Sequence, residues 1–167
     1  THLLEKCCHD IDLVNWMIGS LARRVASFGG CDFFTPQHAY HMDRLGTDPT
    51  NGRKAYCHLW AEHPVDPFTA EKDIVDNQVA IVEFANGVRA TFHTNCNSAL
   101  PERRMYINGT EGTLRADVIT GKIEVARIGF SGEVDDRSTT VSGGHGGGDL
   151  PLGKSLAATM LHGAPSR

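Results

Sequence analysis

Basic clusters, long apolar runs and paired cysteine motifs are all missing from this 167-residue chain, and each absence excludes a class of function. Sixteen lysines and arginines against twenty aspartates and glutamates leave a net charge of −4 with no basic stripe. Nucleic acid is therefore not expected as a partner. No apolar stretch approaches the roughly 20 residues that cross a bilayer, so no membrane partner is expected, and nothing at the N-terminus reads as a secretory signal. Five cysteines (Cys7, Cys8, Cys31, Cys57 and Cys96) form an odd set with no Cys-x-x-Cys pair. That is a poor basis for a disulfide framework or a zinc ribbon, and the expectation is a reduced, cytoplasmic protein. An initiator methionine is also lacking, and a helical pattern is under way within a few residues of Thr1. Residues 1–167 therefore read as a single domain excised from a larger protein.

What remains has a globular composition, 40% hydrophobic and 22% charged, in a chain long enough for one core. Leu4, Cys8, Ile11, Asn15 and Ile18 recur at helical spacing and Gly19 follows them, which predicts a helix over 4–18. Alternation over 24–30 predicts a strand entering the Gly29-Gly30 turn. Residues 31–76 are irregular and hold four of the seven prolines and four of the nine histidines. Only 55–61 looks strand-like within them, and so long an irregular stretch is usually functional or partly disordered. Strands are then predicted over 77–84 and 88–94, joined by the hairpin signal Asn86-Gly87, and over 103–108, 112–116 and 121–128. A glycine-rich run leads to Asp149, a good N-cap for a helix over 152–162. The predicted class is α+β: an open, mainly antiparallel sheet with helices on one face and the other face free for dimerisation.

The segment at the N-terminus carries the chemistry. On a helix Glu5, His9, Asp12 and Trp16 are spaced to share one face. A carboxylate beside an imidazole fixes the ring's tautomer and leaves the other nitrogen to move a proton. The plainer alternative is a solvated acidic face with an incidental histidine.

Four segments change that balance. "LLEKCCHDIDLVNWMIG" resembles the start of the C-terminal domain of the Gfo/Idh/MocA oxidoreductases, the glucose–fructose oxidoreductase and inositol dehydrogenase family. "DNQVAIVEFANGVRATFHTNCN" resembles its central hairpin, "ERRMYINGTEGTLRAD" its next two strands, and "GGHGGGD" the loop before its final helix. The similarity is weakest between Cys31 and Asp73. The resemblance implies NAD or NADP in the parent protein, a sugar, inositol or related polyol as substrate, and a homodimer formed through the sheet. It implies that His9 transfers the proton and that Glu5 supports it, although Glu5 stands where many members have Asp. Asp12 is taken as a substrate contact. The lysine of the family's Glu-Lys-Pro motif is absent, because Cys7 follows Glu5-Lys6.

The dinucleotide fingerprint is absent too: no Gly-x-Gly-x-x-Gly follows a strand, so no cofactor is expected on this fragment and no residue is assigned to bind one. Gly148–Ser155 fits the P-loop pattern by letters, yet only twelve residues follow Ser155, and Asp149 and Pro151 suit a helix start better. His38, His41, His58, His63 and His93 are too scattered for a zinc site, and no metal ligands are assigned. His145, in the glycine loop, is a candidate to close over a polyol, with simple solvent exposure as the alternative. Two further readings stay open for the whole protein. One is a non-enzymatic sugar-binding or assembly module; the other is NAD-dependent glycoside hydrolysis at the same site.

Overall fold

The computed structural model describes residues 2–56, 65–129, 131–140, 142–163 and 165. The chain divides into two compact units, Thr1–Ser98 and Ala99–Arg167.

In the first unit the N-terminal helix is not uniform. Leu3–Cys7 forms a π turn, and only from Cys8 to Ile18 is the helix regular α (α1). The single helix expected over 4–18 therefore carries a register insertion, which displaces Glu5 from the α phase. Gly19 ends α1 in the left-handed region (φ 63°), its N–H bonded to the Asn15 carbonyl at 2.9 Å. Strands β1 (Ala22–Gly30), β2 (Asn77–Phe84) and β3 (Arg89–Asn95) follow, with α2 (Tyr40–Leu45) between the first two. They form an antiparallel sheet in the order β1-β2-β3. In the β2–β3 turn Gly87 takes φ 87° and donates to the Phe84 carbonyl at 3.0 Å. Only a residue comfortable at positive φ serves there. Period-two alternation puts Ala80, Val82, Phe84, Phe92 and Thr94 on one face and Val79, Ile81, Thr91 and His93 on the other.

Helix α1 is tied to the β2–β3 hairpin at both ends. The buried Cys7 contacts Thr94 near the far end of β3. At the other end the Asn86 amide donates to the Ile18 carbonyl at 3.2 Å, and the Ser20 hydroxyl accepts from Asn86 N.

The irregular stretch has a core of its own. Phe68 is fully buried, with the rings of Phe33, Phe34 and Tyr56 at 5.6, 5.3 and 5.4 Å. Edge-to-face packing of this kind stabilises beyond area burial alone. The strand expected over 55–61 is not found among the described residues: Ala55 and Tyr56 lie in a turn, and the rest of that span is not described.

The second unit is an antiparallel sheet of β4 (Arg104–Asn108), β5 (Gly112–Asp117), β6 (Lys122–Arg127) and β7 (Val134–Asp136), in that order. Met105, Ile107, Leu114, Ala116, Ile123 and Val125 share one face by register. The other face carries a charged row in which Glu124 accepts from Arg115 at 2.7 Å and pairs with Lys122 at 2.9 Å. Those two partners hold the Glu124 carboxyl below its ordinary range. Helix α3 (Asp149–His162) begins earlier than expected, with Gly148 at the N-cap. Asp149 is thus a first-turn residue instead of the cap, where its charge still suits the helix dipole. The open, largely antiparallel α+β architecture stands, built as two sheets.

Candidate functional site

Three of the four residues singled out in the sequence lie on the N-terminal helix. Glu5 sits within the π turn, and His9 and Asp12 sit three apart on α1; all three are exposed. Among the described residues neither nitrogen of His9 is committed to a hydrogen bond. Trp16, four residues after Asp12, is 77% exposed, a large apolar surface beside an acidic and basic face. An exposed imidazole can accept or deliver a proton at the protein surface.

The fourth residue belongs to the second unit. His145 has φ 48°, in the left-handed region, and its Nδ1 lies 2.8 Å from Asp149 Oδ1 in the first turn of α3. Both side chains are open to solvent, at 82% and 63% exposure. The carboxylate orients the ring and leaves Nε2 facing outward. Within α3 the segment that matches the P-loop by letters is helical from Asp149 onward, so it forms no phosphate-cradling loop.

Two features of the first unit were not read from the sequence. Asp76 is 5% exposed and takes three backbone N–H groups: Asp32 at 3.1 Å, Phe33 at 2.8 Å and Phe34 at 2.7 Å. Burial pushes its carboxyl up, but the Phe34 N–H, the Asn77 amide and the N–H groups of Asp32 and Phe33 outweigh that and hold it low. Beside it a shallow cavity of about 330 Å³ is lined by Phe33, Asn77, His93, Asn95 and Asn97, among others. Nearby, Gln78 Oε1 is closed off from solvent without a hydrogen-bond donor, while the same amide's nitrogen donates to Ser27 Oγ at 2.7 Å. The second feature is the surface of the aromatic core. His38 and His41 stack on Phe33 with centroids 6.1 and 5.4 Å away. His41 is held below its ordinary value by burial, by Arg44 and by His38. Both histidines thus pack against the Phe33 ring. The clue in the sequence was three of the seven phenylalanines lying in a proline-rich, turn-rich segment. His58 and His63 lie outside the described residues. Cys7, Cys8, Cys31 and Cys96 are free thiols.

A dinucleotide does not fit this chain's own elements. Among the described residues all strand pairings are antiparallel, and no strand–turn–helix unit offers a glycine-lined N-terminus to a pyrophosphate. The glycine run before α3 ends on a carboxylate, Asp149, which repels one.

The sequence matches a family described as the GFO/IDH/MocA C-terminal domain over residues 2–115. A Bacillus subtilis (strain 168) relative named "Putative oxidoreductase YteT" is 23% identical, across 92% of this chain and 45% of that protein. Among solved structures, UDP-N-acetylglucosamine 3-dehydrogenase GnnA of Acidithiobacillus ferrooxidans superposes with a TM-score of 0.58 at 13% identity. That match covers 95% of this chain and 37% of GnnA. A super-repressor mutant of Gal80p from Saccharomyces cerevisiae superposes with a TM-score of 0.69 at 13% identity, over 99% of this chain and 39% of Gal80p. The chain thus spans less than half the length of each of these proteins, and at such identities the structural matches speak for the fold alone. By its match over residues 2–115, this chain belongs to the GFO/IDH/MocA C-terminal domain family.

Proposed function

We propose that this chain is the substrate-binding, proton-transferring part of an oxidoreductase that oxidises or reduces a hydroxyl-bearing carbon of a sugar, inositol or related polyol. The observation that carries the reading is the exposed, uncommitted His9 on α1, with Asp12 three residues on and Glu5 in the turn before it. His9 takes the substrate hydroxyl's proton as that carbon is oxidised and returns it in the reverse direction. Glu5 stabilises the imidazolium, and Asp12 accepts a hydrogen bond from a substrate hydroxyl. His145, oriented by Asp149, contributes a further polar contact to the substrate. NAD or NADP supplies the hydride chemistry and is held by the part of the protein outside this chain. The sugar class is supported by GnnA, whose name is that of a nucleotide-sugar dehydrogenase.

Replacing His9 with Ala in the full-length protein lowers turnover on the order of 10²- to 10⁴-fold and leaves cofactor affinity intact. Unchanged turnover ends the assignment.

A second reading has one specific support. The fold is shared with Gal80p, one of whose mutants is described as a super-repressor, and a name taken from repression instead of catalysis favours a binding or assembly module. A full-length protein that binds a sugar yet shows no cofactor-dependent turnover favours that reading. In either case the exposed face of the first sheet pairs with a second copy of the chain. Phe28, Val79 and Ile81 on it are 78%, 53% and 59% exposed.

A further inference from the structure

We infer that Thr94 is the positioning residue of the proposed proton-transfer site, setting the phase between Glu5 and His9 by holding the π turn that precedes α1. This rests on the reading of His9 given above.

The π turn covers Leu3–Cys7, and the side chains of its N-cap residue, His2, and its last residue, Cys7, meet on one oxygen. Thr94 Oγ1 lies 2.6 Å from His2 Nε2 and 3.7 Å from Cys7 Sγ. A hydroxyl has one proton and two lone pairs, so Thr94 can donate to the unprotonated His2 nitrogen while accepting from the Cys7 thiol. Cys7 is 3% exposed, so its end of the turn is fixed by packing as well.

The geometry selects the turn type. In a regular α-helix residues five apart point roughly 140° away from each other, at 3.6 residues per turn. In a π turn residues i and i+5 are brought into line by the wider loop. His2 and Cys7 are five apart, so both can reach a single oxygen on β3 only while the turn stays wide. Released from Thr94, the segment can narrow to α geometry. Residues ahead of Cys7 then rotate about the helix axis, and Glu5 moves into the neighbouring i, i+4 position relative to His9. A carboxylate brought closer favours the charged imidazole. Thr94 would thereby set how readily His9 acts as a base.

Threonine to valine keeps the shape and removes the hydroxyl, and threonine to serine keeps the hydroxyl. In the full-length protein, Thr94→Val is expected to lower kcat about tenfold with KM within about twofold, because a small misplacement of a reacting group is costly. It is also expected to move the acid limb of the pH–turnover profile upward, while Thr94→Ser stays close to wild type in both. A Thr94→Val protein with wild-type kcat and profile overturns the inference, as does a Thr94→Ser protein that matches Thr94→Val. His9→Ala is measured alongside. If it retains turnover, the functional reading fails, and the grip is judged by amide hydrogen exchange over residues 3–7. Protection lost in Thr94→Val and kept in Thr94→Ser supports the grip; equal protection in both sinks it.

Discussion

The carboxylate of Asp76 accepts the backbone N–H of Phe34 at 2.7 Å, across a loop of more than forty residues. With the N–H groups of Asp32 and Phe33 on the same side chain, this bond folds the exit of β1 back over the entry to β2. The Asp76 backbone continues the sheet on either side. Its N–H bonds the Gly30 carbonyl at 2.9 Å, and its carbonyl accepts from Cys96 at 2.8 Å. One residue thus closes the loop and caps three strands.

Because the Asp76 carboxyl is held below its ordinary range, its charged form stabilises the fold. A depressed folded value gives stability that is fully present above the unfolded carboxylate pKa and is lost as pH falls through the folded one. Wild-type urea midpoints should therefore drop in acid. Asp76→Asn should be less stable near neutral pH, since an amide offers one acceptor oxygen to three N–H groups, and flatter in acid. Parallel pH curves for the two proteins would count against this role.

The aromatic core of residues 31–76 makes a second prediction. Phe68 is fully buried among Phe33, Phe34 and Tyr56. Phe68→Ala leaves a cavity there and should cost about 3–5 kcal/mol. Proteolysis should then cut first within residues 31–76, while the β2–β3 hairpin stays protected in hydrogen exchange. Uniform loss of protection across the first unit would show that the loop and sheet cores are one.

How much of this was legible in the sequence follows from how local each feature is. Strands β2 and β3, the Asn86-Gly87 turn and the Gly19 stop are written in alternation and in glycines at fixed offsets, and each appears where expected. Features that need a distant partner are not written that way. The residue beside the π turn that meets Thr94, His2, lies 92 positions from it, so the segment reads as plain helix. The Phe68 cluster draws on residues from Phe33 to Tyr56 without any period. Strand β7 is three exposed residues, Val134–Asp136, and carries no apolar pattern to detect. The site divides the same way: Glu5, His9 and Asp12 are marked by helical spacing, whereas the residue inferred to position them lies on the opposing sheet.

Gly87 tests the hairpin directly. It holds φ 87° with open space around its missing side chain, so a methyl group there meets no atom and only the backbone conformation resists it. Gly87→Ala should destabilise by roughly 1–2 kcal/mol, the cost of a left-handed conformation for an L-residue. Gly87→Asn should recover part of that loss, because asparagine tolerates this region. Equal melting of all three proteins would mean that the turn has another conformation in solution.

The bare face of the first sheet sets the last test. Phe28, Val79 and His93 stand in register across the three strands, and Ala26, Ile81 and Thr91 form the row beside them. At one end Glu83 lies between Arg24 at 3.8 Å and Arg89 at 3.6 Å, a charged border to an apolar centre. Polar borders around apolar patches are the usual plan of a protein interface. If a second copy covers this face, Val79→Lys places a charge in the middle of the contact and should convert the dimer to monomer in sedimentation velocity. Val79 is already half exposed within the isolated chain, so the monomer's own melting should change little. A dimer that survives both Val79→Lys and Ile81→Glu is assembled through some other surface. In that case the apolar face needs a different occupant, and the Phe28, Val79 and Ile81 side chains should be screened against the remainder of the full-length protein by cross-linking.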